Sequence, residues 1–131
     1  MSKLVMCLDM DGVVHSYTSG WKGIDQLPDP PVPGALLFIK ECIEEGWQVA
    51  IHSSRSETRE GIEAMREWLA AWWGEAGFPA DLLMFISYPI SKPPAFITID
   101  DRALTFTGDW SEFSPRKLKG FRSWTQKKKE G

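Results

Sequence analysis

Short apolar segments without polar alternation recur along the chain and constrain its fold more than any other feature. The first covers residues 3–9, where Val5-Met6-Cys7-Leu8 runs into an acid, a pattern typical of a strand buried on both faces. Further strands are predicted at residues 47–53, 82–87 and 95–100, with a short fifth at 104–107. Because helical patterns lie between the first strands, we predict an α/β protein with a central parallel sheet covered on both faces.

Two helices are predicted between these strands. The first begins near Pro33, which suits the first helical turn, and ends at Gly46, which suits a left-handed cap. The second begins near Ser56 as its N-cap and is broken by Gly74 and Gly77. Its apolar residues recur at offsets of three and four, which is typical of a helix face packed on a core. This stripe consists of Ile62, Met65, Trp68, Leu69, Trp72, Trp73 and Ala76.

The length of 131 residues predicts one domain, residues 1–131, with a core over about 3–107 and a C-terminal extension over 108–131. The extension is expected to hold a loop and a short terminal element. Residues 13–32 contain a proline-dense stretch that excludes helix interior and central strand, so we expect an extended flap there. Together these features predict a single-domain, Rossmann-like three-layer sandwich.

Composition and charge argue against several classes of function. A net charge of −3 provides no overall basic field for nucleic acid, and the short run Lys127-Lys128-Lys129 is expected to be a solvated terminus. No apolar run approaches the roughly 20 residues of a membrane span, and the start of the chain has no leader pattern. Cys7 and Cys42 lie in apolar segments and are expected to be reduced, which predicts a cytoplasmic protein.

Reactive side chains follow the predicted strands at the points where the strands end. They are Asp9-Met10-Asp11-Gly12 after the first strand, Ser53-Ser54-Arg55 after the second, Lys92 before the fourth, and Asp100-Asp101-Arg102 after the fourth. Each piece alone is typical of a turn, a cap or a surface loop. Because ligands bind beyond the carboxyl ends of parallel strands, the four pieces together predict a site at one rim of the sheet.

The carboxylates expected at this rim repel one another unless a cation neutralises them. Oxygen ligands favour Mg²⁺, which keeps several waters and needs few protein ligands. The sequence therefore predicts a magnesium site beside the sheet.

These residues, in this order, resemble the four motifs of the haloacid dehalogenase (HAD) superfamily of phosphotransferases. The similar segments are Asp9-Met10-Asp11-Gly12-Val13 for the first motif, Val49-Ala50-Ile51-His52-Ser53 for the second, Lys92 for the third and Ile97-Thr98-Ile99-Asp100-Asp101 for the fourth. The resemblance covers about residues 3–107. Residues 15–21 and 92–103 also resemble small, mostly uncharacterised members of the superfamily, several of them phage-encoded.

The resemblance implies a magnesium-dependent phosphatase. Asp9 would attack phosphorus and form an aspartyl-phosphate, and Asp11 would protonate the leaving oxygen and then activate water. Ser53 would hydrogen-bond a phosphoryl oxygen, and Lys92 would neutralise the nucleophile and the phosphate. The implied metal ligands are Asp9, Asp11 through its backbone carbonyl, Asp100 and Asp101. One of Asp100 and Asp101 would bind the metal directly and the other through water, and the sequence does not decide which.

Five further residues are expected at the substrate: Gly12, His15, Ser54, Arg55 and Arg102. Gly12 would allow close approach of the backbone at the turn. Arg55 belongs to a Ser-x-Arg pattern similar to that of polynucleotide 3′-phosphatases and suits a substrate phosphate; a surface ion pair with a neighbour such as Glu57 is the alternative. His52, inside a predicted strand, is interpreted as a structural histidine.

The lengths between the motifs indicate a capless member of the superfamily. One helix and one strand fill most of each interval, which leaves residues 13–32 as a flap rather than a cap domain. Such an open site suits a phosphorylated small molecule or a nucleic-acid end as substrate. Trp21 and Trp110 are candidates to stack on a base or sugar, although covering a core edge is the commoner role of such residues.

Three functions therefore stay open at this point. They are a phosphomonoester hydrolase, a polynucleotide or nucleotide 3′-phosphatase, and a non-catalytic module that binds phosphate ligands with the same fold. A signalling receiver domain carries its acid pair after the first strand, so the order of the motifs argues against it. A monomer or a small homo-oligomer is expected.

Overall fold

The computed structural model of the protein describes residues 4–130, with side chains up to Lys127. Lys3, where the predicted first strand begins, lies outside the described residues, as do the side chains of Lys128 and Lys129 in the basic run. Within this range four short strands form one open sheet. They are β1 (Val5–Leu8), β2 (Gln48–Ile51), β3 (Ile86–Ser87) and β4 (Ile97–Ile99).

Every described strand pair in the sheet is parallel, and the order is β3-β2-β1-β4. The central strand β1 pairs Leu8 with Ile51 of β2 and with Ile99 of β4. These strands therefore end level with one another, and Asp9 and Asp100 are the next residues of two neighbouring strands. The α/β class with a parallel sheet is confirmed, and the arrangement is compatible with a Rossmann-like sandwich.

Two long helices, α1 (Ala35–Glu44) and α2 (Arg59–Glu75), connect the first three strands. Their buried faces form a single core with one face of the sheet, to which Leu8 and Ile51 contribute. The apolar helical residues in this core are Leu36, Ile39, Cys42 and Ile43 of α1 and Met65, Trp68, Leu69 and Trp73 of α2. Burying a large apolar side chain contributes about 1.5–3 kcal/mol, so these residues of the predicted α2 stripe stabilise the fold. Trp72 and Ala76 of that stripe are exposed, and their predicted burial is wrong.

The end of α1 agrees with the expectation for Gly46. This residue has a φ of 94°, and its N–H donates to the carbonyl of Ile43 while the N–H of Trp47 donates to that of Cys42. The pair of hydrogen bonds is a Schellman motif, which requires the left-handed conformation that glycine adopts without strain.

The predicted start of the second helix is wrong by two residues. Thr58, not Ser56, is the N-cap of α2, and its hydroxyl accepts the N–H of Gly61. The hydroxyl of Ser56 instead accepts the backbone N–H of Ser53, which closes a 3₁₀ turn over Ser54–Glu57. This local side-chain bonding competes with the helix and delays its first turn.

The predicted end of that helix is also partly wrong. Gly74 lies inside α2, which ends at Glu75 with Ala76 as its C-cap, and Gly77 follows with a φ of 76°. An isolated glycine inside a helix costs about 1 kcal/mol relative to alanine, which the packing of the neighbouring Trp73 outweighs.

The opposite face of the sheet is covered in part by loop residues. Val5 and Ala50 on this face line a cavity of about 360 Å³ together with Phe85, Pro89 and Pro93. The connection from β3 to β4, residues 88–96, is irregular, since prolines in it exclude a helix interior. Loop residues therefore lie over this part of the sheet, where a three-layer sandwich has a helix.

Two predicted strands are corrected by the structure. Most of residues 82–87 belongs to a 3₁₀ helix at Ala80–Phe85, and only Ile86–Ser87 pairs as β3. Residues 104–107 form no strand in the described part of the chain, and Leu104 and Phe106 there are exposed. The fourth strand is confirmed as β4.

The C-terminal extension contains short elements, as expected. They are a 3₁₀ turn at Trp110–Glu112, α3 (Pro115–Leu118) and α4 (Trp124–Glu130). Over the described range, none of the helices has both the length and the apolar character that crossing a bilayer requires. Cys7 and Cys42 are buried free thiols, in line with the expectation that they are reduced.

The flap over residues 13–32 is irregular, as predicted, but it is tied closely to the core. The N–H of Val32 donates to the carbonyl of Val14 at 2.8 Å. The indole N–H of Trp68 in α2 donates to the backbone carbonyl of Asp29 at 3.0 Å. The carboxylate of Asp29 in turn accepts hydrogen bonds from the N–H and the hydroxyl of Ser19, so the flap has an internal anchor.

Candidate functional site

The turn after β1 brings two carboxylates to the edge of the sheet. The N–H of Asp9 donates to the carbonyl of Ile99 at 3.0 Å, which extends the β1–β4 ladder by one residue. Gly12 follows with a φ of 85°, and a Cβ atom at this position would lie 2.3 Å from Oδ2 of Asp101. Only glycine fits so tight a turn against Asp101, so the local sequence allows the Asp-Asp pair to approach the first motif.

Three carboxylates meet at this edge: Asp9, Asp100 and Asp101, which we call the acidic cluster. Each contributes one oxygen, and these three oxygens lie within 4.8 Å of one another. Oδ1 of Asp101 is buried and has no hydrogen-bond partner among the described residues. An orphaned carboxylate oxygen beside two further carboxylates is a suitable ligand set for a hard cation such as Mg²⁺.

The electrostatics of the acidic cluster agree with this interpretation. Burial and the nearby Asp100 carboxylate raise the pKa of Asp9 to about 8, and the hydrogen bond shared with Asp101 contributes to the shift. Burial likewise raises the pKa of Asp101. Without a cation the cluster therefore holds a proton that isolated carboxyls would have lost, because like charges at this separation cannot all ionise.

The side chain of Asp11 belongs to a second group, the Asp11 clamp, formed by Asp11, His15 and Arg55. Its Oδ1 accepts from Nδ1 of His15 at 2.9 Å, and its Oδ2 accepts from Nε of Arg55 at 2.9 Å. Burial raises the pKa of Asp11, but the hydrogen bonds from His15 and Arg55 outweigh it and leave the pKa below its ordinary value. The carboxylate of Asp11 is thus held ionised.

His15 does not reach the cavity, contrary to its expected contact with substrate. Its ring is fully buried behind Asp11, and its Nε2 accepts the backbone N–H of Asp29 at 3.1 Å. That acceptor role leaves the ring proton on Nδ1, where it is donated to Asp11. His15 therefore orients the carboxyl of Asp11 and joins it to the flap.

Arg55 is also buried, so the alternative of a surface ion pair with Glu57 is wrong, while its contact with a substrate phosphate stays a prediction. In place of a surface ion pair with Glu57, it binds Asp11 through Nε and donates from Nη1 to the carbonyls of Gly23 and Ile24, each at 2.8 Å. Its guanidinium carbon lies 4.6 Å from the ring centroid of Trp21. Arg55 is not among the residues that line the two cavities described below, and its observed contacts join the flap to Asp11. Its Nη2 is buried without a partner among the described residues.

Two adjacent cavities open at the carboxyl ends of the strands. The first has a volume of about 300 Å³ and is lined by Asp9, Asp11, Tyr17, Trp21, Ser53, Ser54, Asp100, Asp101, Arg102 and Thr125. The second has a volume of about 260 Å³ and is lined by Cys7, Asp9, His52, Ser53, Ser54, Lys92, Thr98 and Asp100. Because Asp9, Ser53, Ser54 and Asp100 line both, the two cavities are parts of one site.

The remaining predicted site residues meet here. Lys92 shares the second cavity with Asp9, although the two residues come from different loops. Ser53 is buried, and its hydroxyl accepts the N–H of Arg55 at 3.0 Å. Exposed Arg102 lines the first cavity, and its N–H donates to Oδ1 of Asp100 at 2.8 Å. Ser54 lines both cavities beside Ser53.

Three residues at the site are not among those predicted from the sequence to belong to it. Tyr17 lines the first cavity from the flap and has a φ of 61°, which is unusual for a residue other than glycine. Thr125 lines the same cavity from α4. The indole N–H of Trp124 donates to the carbonyl of Gly12 at 2.6 Å, across 112 positions of sequence. Only the tertiary fold brings the C-terminal extension to the turn of the first motif.

Comparison of the chain with protein-family models, with curated proteins and with solved structures gives no significant match. The chemistry of the site therefore has to be inferred from its own residues. A carboxylate cluster suited to a hard cation, a lysine and two serines surround a space large enough for a phosphate group. Such a set can bind a phosphoryl group and offer it a carboxylate nucleophile.

Proposed function

We propose that the protein is a magnesium-dependent phosphatase that hydrolyses phosphate monoesters through an aspartyl-phosphate on Asp9. The observation that carries this proposal is the position of Asp9. It lies in the acidic cluster with Asp100 and Asp101, and it lines both cavities together with Ser53. The resemblance of the same residues to the HAD motifs supports the same chemistry.

In the proposed reaction a carboxylate oxygen of Asp9 attacks phosphorus. The bond from phosphorus to the ester oxygen breaks, and that oxygen takes a proton from Asp11. Water then attacks the aspartyl-phosphate, gives a proton to Asp11 and releases inorganic phosphate and free Asp9. Lys92 and Ser53 would hold the phosphoryl oxygens during both steps.

The Asp11 clamp favours one of these two roles of Asp11. A carboxylate that accepts from His15 and Arg55 is ionised, which is the form that the second step requires before water gives up its proton. The first step needs Asp11 in its protonated form, which the clamp disfavours. Substrates with acidic leaving groups, such as aryl phosphates, avoid that requirement.

Asp9, Asp100 and Asp101 would hold the Mg²⁺, and the resemblance adds the backbone carbonyl of Asp11. Bound there, the ion neutralises charge on the phosphate and on the carboxylates. The proposal includes a capless HAD-like domain in which residues 13–32 act as a flap over the site. It also includes a cytoplasmic location, which suits the two free thiols.

The test measures phosphate release from an aryl phosphate by the wild type and by Asp9→Asn, each with Mg²⁺ and with a chelator. We expect release that requires Mg²⁺ and disappears in Asp9→Asn. Asp81→Asn is the matched control, because it makes the same chemical change at an exposed position away from the site, and it should retain activity. Absence of release from a panel of aryl, sugar and nucleotide phosphates, with folded wild type and Mg²⁺ present, would favour a non-catalytic module that binds phosphate ligands.

A further inference from the structure

The basic residues of the chain are concentrated at its C-terminal end. Residues 115–130 contain seven Lys or Arg and one acidic residue, whereas residues 1–114 contain eight Lys or Arg and 17 Asp or Glu. The modest net charge of −3 is therefore the sum of a strongly negative body and a strongly positive C-terminal end. We call residues 104–130 the C-terminal segment. Its positive charge makes it the part of the protein best suited to bind a polyanion.

The C-terminal segment reaches the proposed active site. The hydrogen bond from Trp124 to Gly12 fixes α4 beside the turn that carries Asp9 and Asp11, and Thr125 forms part of the wall of the first cavity. Basic side chains of the segment are exposed, among them Arg116, Lys117, Lys119, Arg122 and Lys127. Arg122 and Lys127 lie within three residues of Trp124 and Thr125 along the chain, so cations flank the part of the segment that reaches the cavity.

Exposed aromatic rings precede the basic residues in the same segment. Phe106 and Trp110 pack on each other with centroids 4.6 Å apart, while half of Phe106 and 74% of Trp110 remain exposed. At the cavity itself, Tyr17 and half-exposed Trp21 form part of the wall, and Arg55 supports the ring of Trp21 from behind. Exposed rings together with cations are the usual means of binding single-stranded nucleic acid, since every base can stack on a ring.

We propose that the C-terminal segment binds single-stranded nucleic acid and delivers its terminal phosphate to the acidic cluster. The delivery of a phosphate for hydrolysis rests on the proposed phosphatase function, whereas the binding rests on the C-terminal segment alone. A mononucleotide occupies only the cavity, but a polynucleotide also gains the contacts of the segment. The substrate class is therefore a polynucleotide with a terminal phosphate rather than a small metabolite.

The first experiment measures binding of a fluorescent 12-nucleotide single strand by anisotropy, in chelator, over a range of salt concentrations. The test variant carries Arg116→Gln, Lys117→Gln and Lys119→Gln. The matched control carries Lys40→Gln, Arg59→Gln and Arg66→Gln, which removes the same charge from α1 and α2. For three lost phosphate contacts, the slope of log K against log salt should become about 2 smaller, and Kd should rise at least about tenfold at low salt.

The control variant should bind within about twofold of the wild type. No binding by the wild type, or an equal loss in both variants, would overturn the proposal. Binding of phosphatidylserine vesicles in preference to the oligonucleotide would overturn it too, because the basic segment would then serve a membrane surface.

The second experiment compares kcat/KM for the oligonucleotide carrying a 3′- or a 5′-phosphate with kcat/KM for an aryl phosphate. We expect the ratio to fall about tenfold in the test variant and to stay constant in the control variant. An oligonucleotide hydrolysed no better than a mononucleotide by the wild type would contradict delivery by the segment. If no phosphate ester is hydrolysed at all, the phosphatase proposal fails, and the anisotropy result alone decides whether the segment binds nucleic acid.

Discussion

The two carboxylates of the first motif lie two residues apart, yet they enter regions with opposite electrostatics. Asp9 joins the acidic cluster, where burial and Asp100 raise its pKa to about 8. Asp11 joins the Asp11 clamp, where hydrogen bonds from His15 and Arg55 outweigh burial and lower its pKa. The neighbours alone thus shift the pKa of the same residue type in opposite directions.

The two regions also differ in whether the chain itself neutralises their carboxylates. The Asp11 clamp is compensated within the chain, because a buried guanidinium pairs with the carboxylate. The acidic cluster has no such partner, and a buried oxygen of Asp101 stays without a hydrogen bond among the described residues. Removal of charge should therefore destabilise the clamp and stabilise the metal-free cluster, which makes the contrast open to experiment.

The largest effect is expected on catalysis at Asp11. For an alkyl phosphate, Asp11→Asn should lower kcat/KM by about 10²–10⁴-fold, because the leaving oxygen loses its proton donor. For a 4-nitrophenyl phosphate, whose leaving group departs without a proton, the loss in kcat/KM should be much smaller. Steady-state kinetics on both substrates measure this difference, with Asp25→Asn in the exposed part of the flap as the control. Equal losses on the two substrates would exclude a proton donor role for Asp11.

The next effect concerns stability and tests the clamp. Arg55→Met should reduce the free energy of unfolding by about 3–5 kcal/mol, because it leaves the Asp11 carboxylate partly buried without its charged partner. Urea unfolding measures the change, and Arg59→Met, at an exposed position in the first turn of α2, should stay within about 0.5 kcal/mol of the wild type. A similar small change for Arg55→Met would mean that the ion pair contributes little to the fold.

A metal should stabilise the acidic cluster. At a Mg²⁺ concentration of about 100 times Kd, the free energy of unfolding should rise by about 2.7 kcal/mol, which raises the Tm by several degrees. Thermal unfolding with and without Mg²⁺ measures this gain. The gain should be much reduced in Asp101→Asn and retained in Asp109→Asn, where the aspartate is exposed and caps a turn of the C-terminal segment. If Mg²⁺ left the Tm of the wild type unchanged, a resident magnesium site would be ruled out.

The smallest effect is the pH dependence of the metal-free protein. Asp9 has a folded pKa of about 8 against an ordinary value of 3.8, so the folded state holds the extra proton between these pH values. Stability from this group therefore falls as pH rises from about 4 to 8, and Asp9→Asn should remove that fall. After discounting for solvent screening, we expect the variant to gain on the order of 1–2 kcal/mol over the wild type near pH 8 and little near pH 4. Urea unfolding in chelator at several pH values measures the difference, and a constant difference would contradict the shifted pKa.

The sequence predicted the first strands, both long helices and the parallel sheet because these depend on local patterns of apolar residues. It failed where two local patterns compete. At Ser53 and Ser56, side-chain hydrogen bonds hold a 3₁₀ turn and delay α2 to Thr58. At residues 82–87, an apolar run is equally consistent with a strand and with the 3₁₀ helix that forms. The third layer of the predicted sandwich stays a prediction, because the chain between β3 and β4 is irregular where it lies beside Val5 and Ala50.

The sequence by itself determined that Asp9 and Asp100 meet, since level ends of parallel strands follow from apolar runs that end in acids. Only the tertiary structure decided which side chains and loops contact Asp11 and the turn at Gly12. Arg55 reaches Asp11 across 44 positions, and Trp124 reaches Gly12 across 112. Such contacts depend on the docking of loops and of the C-terminal segment against the core. That docking depends on packing between residues far apart in the sequence. Such packing leaves no periodic pattern in the sequence, so it could not be predicted from one.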